Sequence, residues 1–412
     1  MSVQATSDAV PAQRGTLKMS SVLPQDTDPA IAASNEPHFV AYDPGASRRG
    51  QLFLLLGGQN YAPADNLIVI TRQAAANGFH AIALSYPRTV NVLGRCQADP
   101  DESCFEKVRL QVIDGTERAP QVAVNRANSI ENRTIKLLEY LAKRFPDEGW
   151  GAYLNGSGLD WAKIRLGGHS EGGSHVTMMA REHEVARLCV LESPVDVIGT
   201  PGSARRAAPW FATPRKTAAE RSFAFRQTRS DSPTAEFRQT MWTALGLDRF
   251  GAPVDAEHTA APYGNAHQLT TAAEPIADGK PQLFHRSVAV MPSPRRRRTA
   301  NHCSRRSGNT RASAERVYQP ETYCTAGGGG TCTLWRAATA RIFGMSISPA
   351  SSRSMSSKNF AAPPFELIEM NLAPPLAARK ECTTPCGTWR NSPGNTVRVW
   401  PSAVTSRQPS SM

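Results

Sequence analysis

The sequence predicts a doubly wound α/β fold, and three observations carry that prediction. Leu52-Phe53-Leu54-Leu55-Leu56 is a continuous apolar run that stops at Gly57-Gly58. A strand buried on both faces, as in a parallel sheet, reads this way. From Phe39 to Val290, short apolar runs alternate with helical stretches, the order that builds a sheet with right-handed crossovers. Midway, a short strand at Lys163–Leu166 runs into glycines and then into a helix at Gly173–Glu182.

The elements follow in order. Residues 1–37 are polar and show no periodicity, so they predict a flexible lead-in to a domain at 38–290. After the first apolar run, Asp65 is placed to cap a helix holding Leu67, Ile70 and Ala74, with Gly78 as its stop. His80–Tyr86 is the next strand, ended by Pro87. Between Ser129 and Phe145, the residues Ile130, Leu137, Leu138, Leu141 and Phe145 share one side of a helix, and Pro146 follows. Leu188–Leu191 and Ser222–Arg226 are further strands.

Composition bounds the function. The chain has 412 residues, 40% apolar and 20% charged, which is enough for a core and excludes a wholly disordered protein. No stretch approaches the ~18 apolar residues of a membrane helix. The opening MSVQATSDAV lacks a basic start and an apolar stretch. A cytoplasmic protein is therefore expected as written, and a secreted one if the true start differs.

The charge is uneven. Residues 1–290 carry 30 Lys+Arg against 30 Asp+Glu, so the whole net charge of +12 lies in residues 291–412. That segment holds a run of four arginines at Arg295–Arg298, five of the eight cysteines and no Asp. A basic tail can bind nucleic acid or an anionic surface. The absence of regular apolar spacing instead favours a tail of low order, even one read in a shifted frame, and nucleic acid is not the expected partner. Cys303, Cys324, Cys332, Cys382 and Cys386 do not form two paired C-x-x-C knuckles, so no zinc site is expected. Gly327–Gly330 lack the Gly-Lys-Ser/Thr of a phosphate loop. No metal or cofactor is expected.

Chemistry concentrates at Gly168-His169-Ser170-Glu171-Gly172, which fits G-x-S-x-G between a strand and a helix. Such a corner forces Ser170 into a positive φ and lifts its hydroxyl above the sheet edge. The residues two before and two after then crowd each other, and Gly168 and Gly172 are both small enough. A helix N-terminus beneath favours negative charge near the serine.

On these residues the chain resembles the α/β-hydrolase superfamily, and more narrowly a bacterial family of serine hydrolases of poorly defined substrate. The carrying segments are LFLLLGGQN, HAIALSYP, CQADPDESCF, NSIENRTIKLLEYL, WAKIRLGGHSEGG, LESPVDV with APWF, and MWTALGLDRFG with PYGNAH. The resemblance covers about residues 38–290. It implies a mostly parallel sheet with a cap of inserted segments, and the order serine, acid, histidine. Ser170 is then the nucleophile. Asp231, after SFAFRQTRS, fits the acid best, with Glu192 and Asp196 as fallbacks. His285 resembles the final loop histidine, ahead of His258, His267 and His302. The oxyanion donors would be the Glu171 N–H and one from Gly58 or Gln59; many superfamily members carry a His-Gly or Pro-Gly pair where this chain has Leu56-Gly57-Gly58-Gln59. Trp210 and Phe211 are candidates to line an acyl pocket, or else pack the cap on the core.

These roles add up to hydrolysis of small-molecule carboxylic esters through an acyl-enzyme. The competing expectations are an impaired hydrolase-fold protein and an anionic-surface binder acting through the tail. Cys96 and Cys104 either close a small disulfide loop or stay free, and Cys189 is expected in the core.

Overall fold

The computed structural model describes residues 17–63, 67–156, 158–273, 281–289 and 337–345. Nine strands form one sheet. In chain order they are β1 (Lys18–Val22), β2 (His38–Tyr42), β3 (Leu52–Leu56), β4 (His80–Leu84), β5 (Ile164–His169), β6 (Arg187–Leu191), β7 (Ser222–Gln227), β8 (Val254–Asp255) and β9 (Gln268–Thr271). Their spatial order is β1-β2-β4-β3-β5-β6-β7-β9-β8. Every pairing from β4 through β8 is parallel, and β1 and β2 run antiparallel at one edge. The architecture is α/β with a mixed, mostly parallel sheet.

The central strands are apolar throughout because both of their faces are covered. Side chains alternate across a sheet. Thus Leu52, Leu54 and Leu56 enter one core, while Phe53 and Leu55 enter the other. In register, Leu54 faces Ile82 on one side and Leu166 on the other. Helix α1 (Ile68–Ala76) covers the second core. The helices α3 (Cys104–Asp114), α4 (Ile130–Arg144) and α5 (Glu171–Glu182) cover the first. Ser129 caps α4 by accepting from the Asn132 N–H at 3.2 Å, and Leu137, Leu138 and Leu141 are buried beneath it. Asp65, the expected cap of α1, lies outside the described residues. Among the described residues, no helix is long and apolar enough to cross a membrane.

Short segments inside the two stretches expected to lack structure pack on the sheet. Within 1–37, Lys18–Val22 pairs antiparallel with β2, Ile31 is buried, and the N–H groups of Ala32 and Ala33 donate to Asn128. An edge strand buries little, so its apolar signal is weak; here only Val22 is buried. Within 291–412, residues 337–345 pack on the sheet. Ala338, Ala340, Ile342, Phe343 and Met345 join the second core, and the Phe343 ring lies 4.9 Å from that of Phe53. Arg187 donates to Ile342 O at 2.7 Å, and Arg165 to Phe343 O at 3.0 Å. The surrounding arginines and small polar residues mask this apolar stretch in the sequence. Arg295–Arg298, the five tail cysteines, Gly327–Gly330 and His302 lie outside the described residues.

Cys96 and Cys104 are joined as a disulfide between α2 (Val92–Cys96) and α3. Cys189 is free and buried in β6.

Candidate active site

The strand order reverses beside β3, with β4 on one side of it and β5 on the other. Crevices at such a switch point, outside the carboxyl ends of the strands, hold ligands in open α/β sheets. Gly57-Gly58-Gln59 leaves the end of β3, and Ser170 leaves the end of β5.

Ser170 has φ 53° and ψ −122°, a sparsely populated region that costs on the order of 1–3 kcal/mol. Neighbouring glycines permit it. A Cβ on Gly168 would sit 2.5 Å from Gly172 O, and one on Gly172 would sit 2.3 Å from Gly57 O. Strand β5, helix α5 and the loop after β3 therefore meet at a spacing that only glycine allows. The Ser170 N–H donates to Leu191 O at 2.9 Å, and Ser193 Oγ donates to Ser170 O at 2.7 Å. Both bonds tie the corner to the end of β6.

Opposite the hydroxyl stands His285. Its Nε2 is 2.9 Å from Ser170 Oγ. The ring rides on helix α6 (Pro281–Ser287) rather than on a loop. Its Nδ1 lies 3.2 Å from Glu192 Oε2 and 3.3 Å from Ser230 Oγ. Geometry thus joins Ser170, His285 and Glu192. Asp231, the leading expectation for the acid, is exposed and is not the carboxylate at Nδ1. Ser230 takes the position beside the ring, and the chain carries Asp231 outward. Of the other expected residues, His258 is exposed and bonded to Asp255, and His267 stacks on Phe223 and Phe250.

Glu192 follows β6 directly and is itself at φ 50°. Its carboxylate is fully buried. Oε1 accepts the Gln227 N–H, and Oε2 lies 3.0 Å from Arg238 Nη2. Burial opposes its ionisation, but the Arg238 charge and the His285 hydrogen bond outweigh that and hold the carboxyl down at about 2. It is a carboxylate at neutral pH. The signal in the sequence was slight: an acidic residue directly after an apolar strand, in LESP.

The expected oxyanion donors border the same point. A Cβ on Gly58 would lie 3.3 Å from Ser170 Cβ, so its backbone runs beside that serine. Glu171 is the first residue of α5, and the first N–H groups of a helix have no partner within it. Its side chain turns away. The carboxylate accepts the Val92 N–H at 3.2 Å and is buried near the Arg109–Asp196 ion pair. Burial pushes it up to about 7 against the pull of Arg109.

Trp210 and Phe211 belong to that buried layer. They stack at 3.8 Å and are 2% and 5% exposed. The Trp210 N–H donates to Asp196 at 3.1 Å. They brace the core instead of lining an open pocket, and Asp196 serves Arg109 and Trp210, not His285. Among the described residues, no group of His, Cys, Asp and Glu could hold a metal ion.

No family model and no curated protein matches the chain. Among solved structures, it is similar to a protein of Klebsiella pneumoniae described as a dienelactone hydrolase. That likeness has 12% identity and a TM-score of 0.31, over 63% of this chain and 86% of that one.

Proposed function

We propose that this chain is a serine hydrolase of the α/β-hydrolase superfamily that cleaves small carboxylic esters through an acyl-enzyme. The observation that carries this reading is the 2.9 Å approach of His285 Nε2 to the hydroxyl of a strained Ser170. A free serine hydroxyl is a weak nucleophile and needs such a base.

In this reading, His285 takes the Ser170 proton as Oγ attacks the acyl carbonyl. Glu192, and not Asp231, accepts from Nδ1–H. It thereby fixes the tautomer that leaves Nε2 free to accept a proton, and it stabilises the imidazolium that forms. The N–H groups of Glu171 and of Gly58 or Gln59 receive the oxyanion; losing one such donor typically costs roughly 100- to 1,000-fold in rate. His285 then protonates the leaving alcohol. It next deprotonates the water that releases the acyl group, and the serine returns with its proton.

The test is turnover of a panel of p-nitrophenyl esters by wild type and Ser170→Ala. Release of p-nitrophenol that falls to background in the variant supports the proposal. Equal rates in the two proteins overturn it.

A further inference from the structure

We infer that His169 is a positioning residue for the base, an inference that rests on the hydrolase reading above. Its imidazole holds the helix carrying His285 in register with the nucleophile corner. The residue sits last in β5, next to Ser170. It is fully buried, and its Nε2 lies 3.0 Å from the backbone oxygen of His285. The two rings are 5.0 Å apart.

The last four carbonyls of a helix have no partner inside it. At the end of α6, Phe284 O accepts from the Ser287 hydroxyl at 2.8 Å, and Arg286 O accepts from the Ala289 N–H at 3.0 Å. The His285 carbonyl is met by His169. The bond therefore falls on the very residue whose side chain faces Ser170. A shift of the backbone at His285 moves its Nε2 directly.

The chemistry of the ring fits one role. A carbonyl oxygen only accepts, so Nε2 must carry the proton. Nδ1 then holds a lone pair, and among the described residues it has no partner. It faces the Gly58 backbone, where a Cβ would come within 3.0 Å. Burial, together with the nearby His285, keeps the imidazole neutral, with its pKa lowered to about 3. One neutral ring thus touches the oxyanion loop, adjoins the nucleophile and anchors the base. It does so from the face of the sheet opposite α5, the face where Gly167 meets Phe343.

Two variants separate positioning from bulk. His169→Leu keeps an apolar filling of similar size but loses the donor. His169→Gln places an amide N–H near the position of Nε2. A misplacement of about 1 Å in a reacting group can cost on the order of 100-fold. We expect Leu to lower kcat roughly 10- to 100-fold at nearly constant KM, and Gln to recover most of it. A folded Leu variant with wild-type kcat overturns the inference. So does an equal loss in both variants that tracks an equal fall in Tm. If Ser170→Ala retains wild-type turnover, the hydrolase reading itself has failed; if it is silent while His169→Leu is fully active, only this inference has. Nitrogen NMR of the wild-type histidines needs no variant to fold. The Nε2–H tautomer at His169, unchanged between pH 8 and 5, is expected, and an Nδ1–H tautomer overturns the inference.

Discussion

Exchanging Glu192 for Gln tests the assignment of the acid at a single atom. Glu192 Oε1 takes the Gln227 N–H, while Oε2 serves both Arg238 and His285 Nδ1. Glutamine has one oxygen for three donors. With that oxygen kept on Gln227, its NH2 points at Arg238 and His285. Nδ1 must then accept, so Nε2 carries the proton, and no lone pair faces Ser170. Conversion of a triad carboxylate to an amide in this way lowers kcat about 10⁴-fold, the size known from a serine protease, and a loss of about 10³–10⁴-fold is expected here. Stability falls as well. The side chains of Glu192 and Arg238 are both fully buried, and breaking such a pair leaves a buried charge uncompensated, which costs about 3–5 kcal/mol. Out of a typical total of about 5–15 kcal/mol, the variant should still fold in the cold. Asp231→Asn alters an exposed side chain and should change kcat by no more than about twofold. The assay is p-nitrophenyl acetate turnover at 15 °C, with far-UV circular dichroism and a urea midpoint for each variant. Loss of activity in Asp231→Asn, with Glu192→Gln folded and unimpaired, would refute the reasoning.

Two other outcomes follow from the structure. His38, His80, His169 and His175 are held neutral by burial, the first three at about 3, 4 and 3 and the last well below the usual value. A depressed histidine contributes stability that is lost as pH falls below about 6.5 towards its folded value. Glu171, raised to about 7, acts in the opposite sense between about 7 and 4.5. Near pH 5, unfolding should then take up a net of about three protons, a slope of roughly 4 kcal/mol per pH unit. Urea midpoints measured from pH 7 to 5 check this, and a flat profile contradicts it. Separately, Phe343 is fully buried against Phe53, so Phe343→Ala should cost about 3–5 kcal/mol in urea unfolding; no loss would mean that residues 337–345 do not belong to the core.

The parts legible in the sequence are those with a local physical signature. Leu52–Leu56 had to be buried on both faces, because no polar position interrupts it, and the structure splits it between two cores. Ser170 was legible because a strained corner demands small residues at fixed offsets, here Gly168 and Gly172. Glu192 was harder to see. Its position depends on which strand end lies nearest His285 in space, while Asp231 had the better position along the chain. Residues 18–22 and 337–345 were hidden for different reasons: an edge strand needs little apolar pattern, and a short apolar segment inside a basic stretch gains its meaning only from the sheet it covers. His169 gave no signal of its own beyond its place in the motif. Its contact with the His285 backbone spans 116 positions.

Covalent labelling measures the proposed chemistry most directly. The folded protein is treated with a fluorophosphonate, digested, and mapped by mass spectrometry. A single phosphonyl adduct on Ser170, formed faster than in Glu192→Gln and absent from Ser170→Ala, is the predicted result. A folded protein that takes no adduct, or takes it on another residue, contradicts the account.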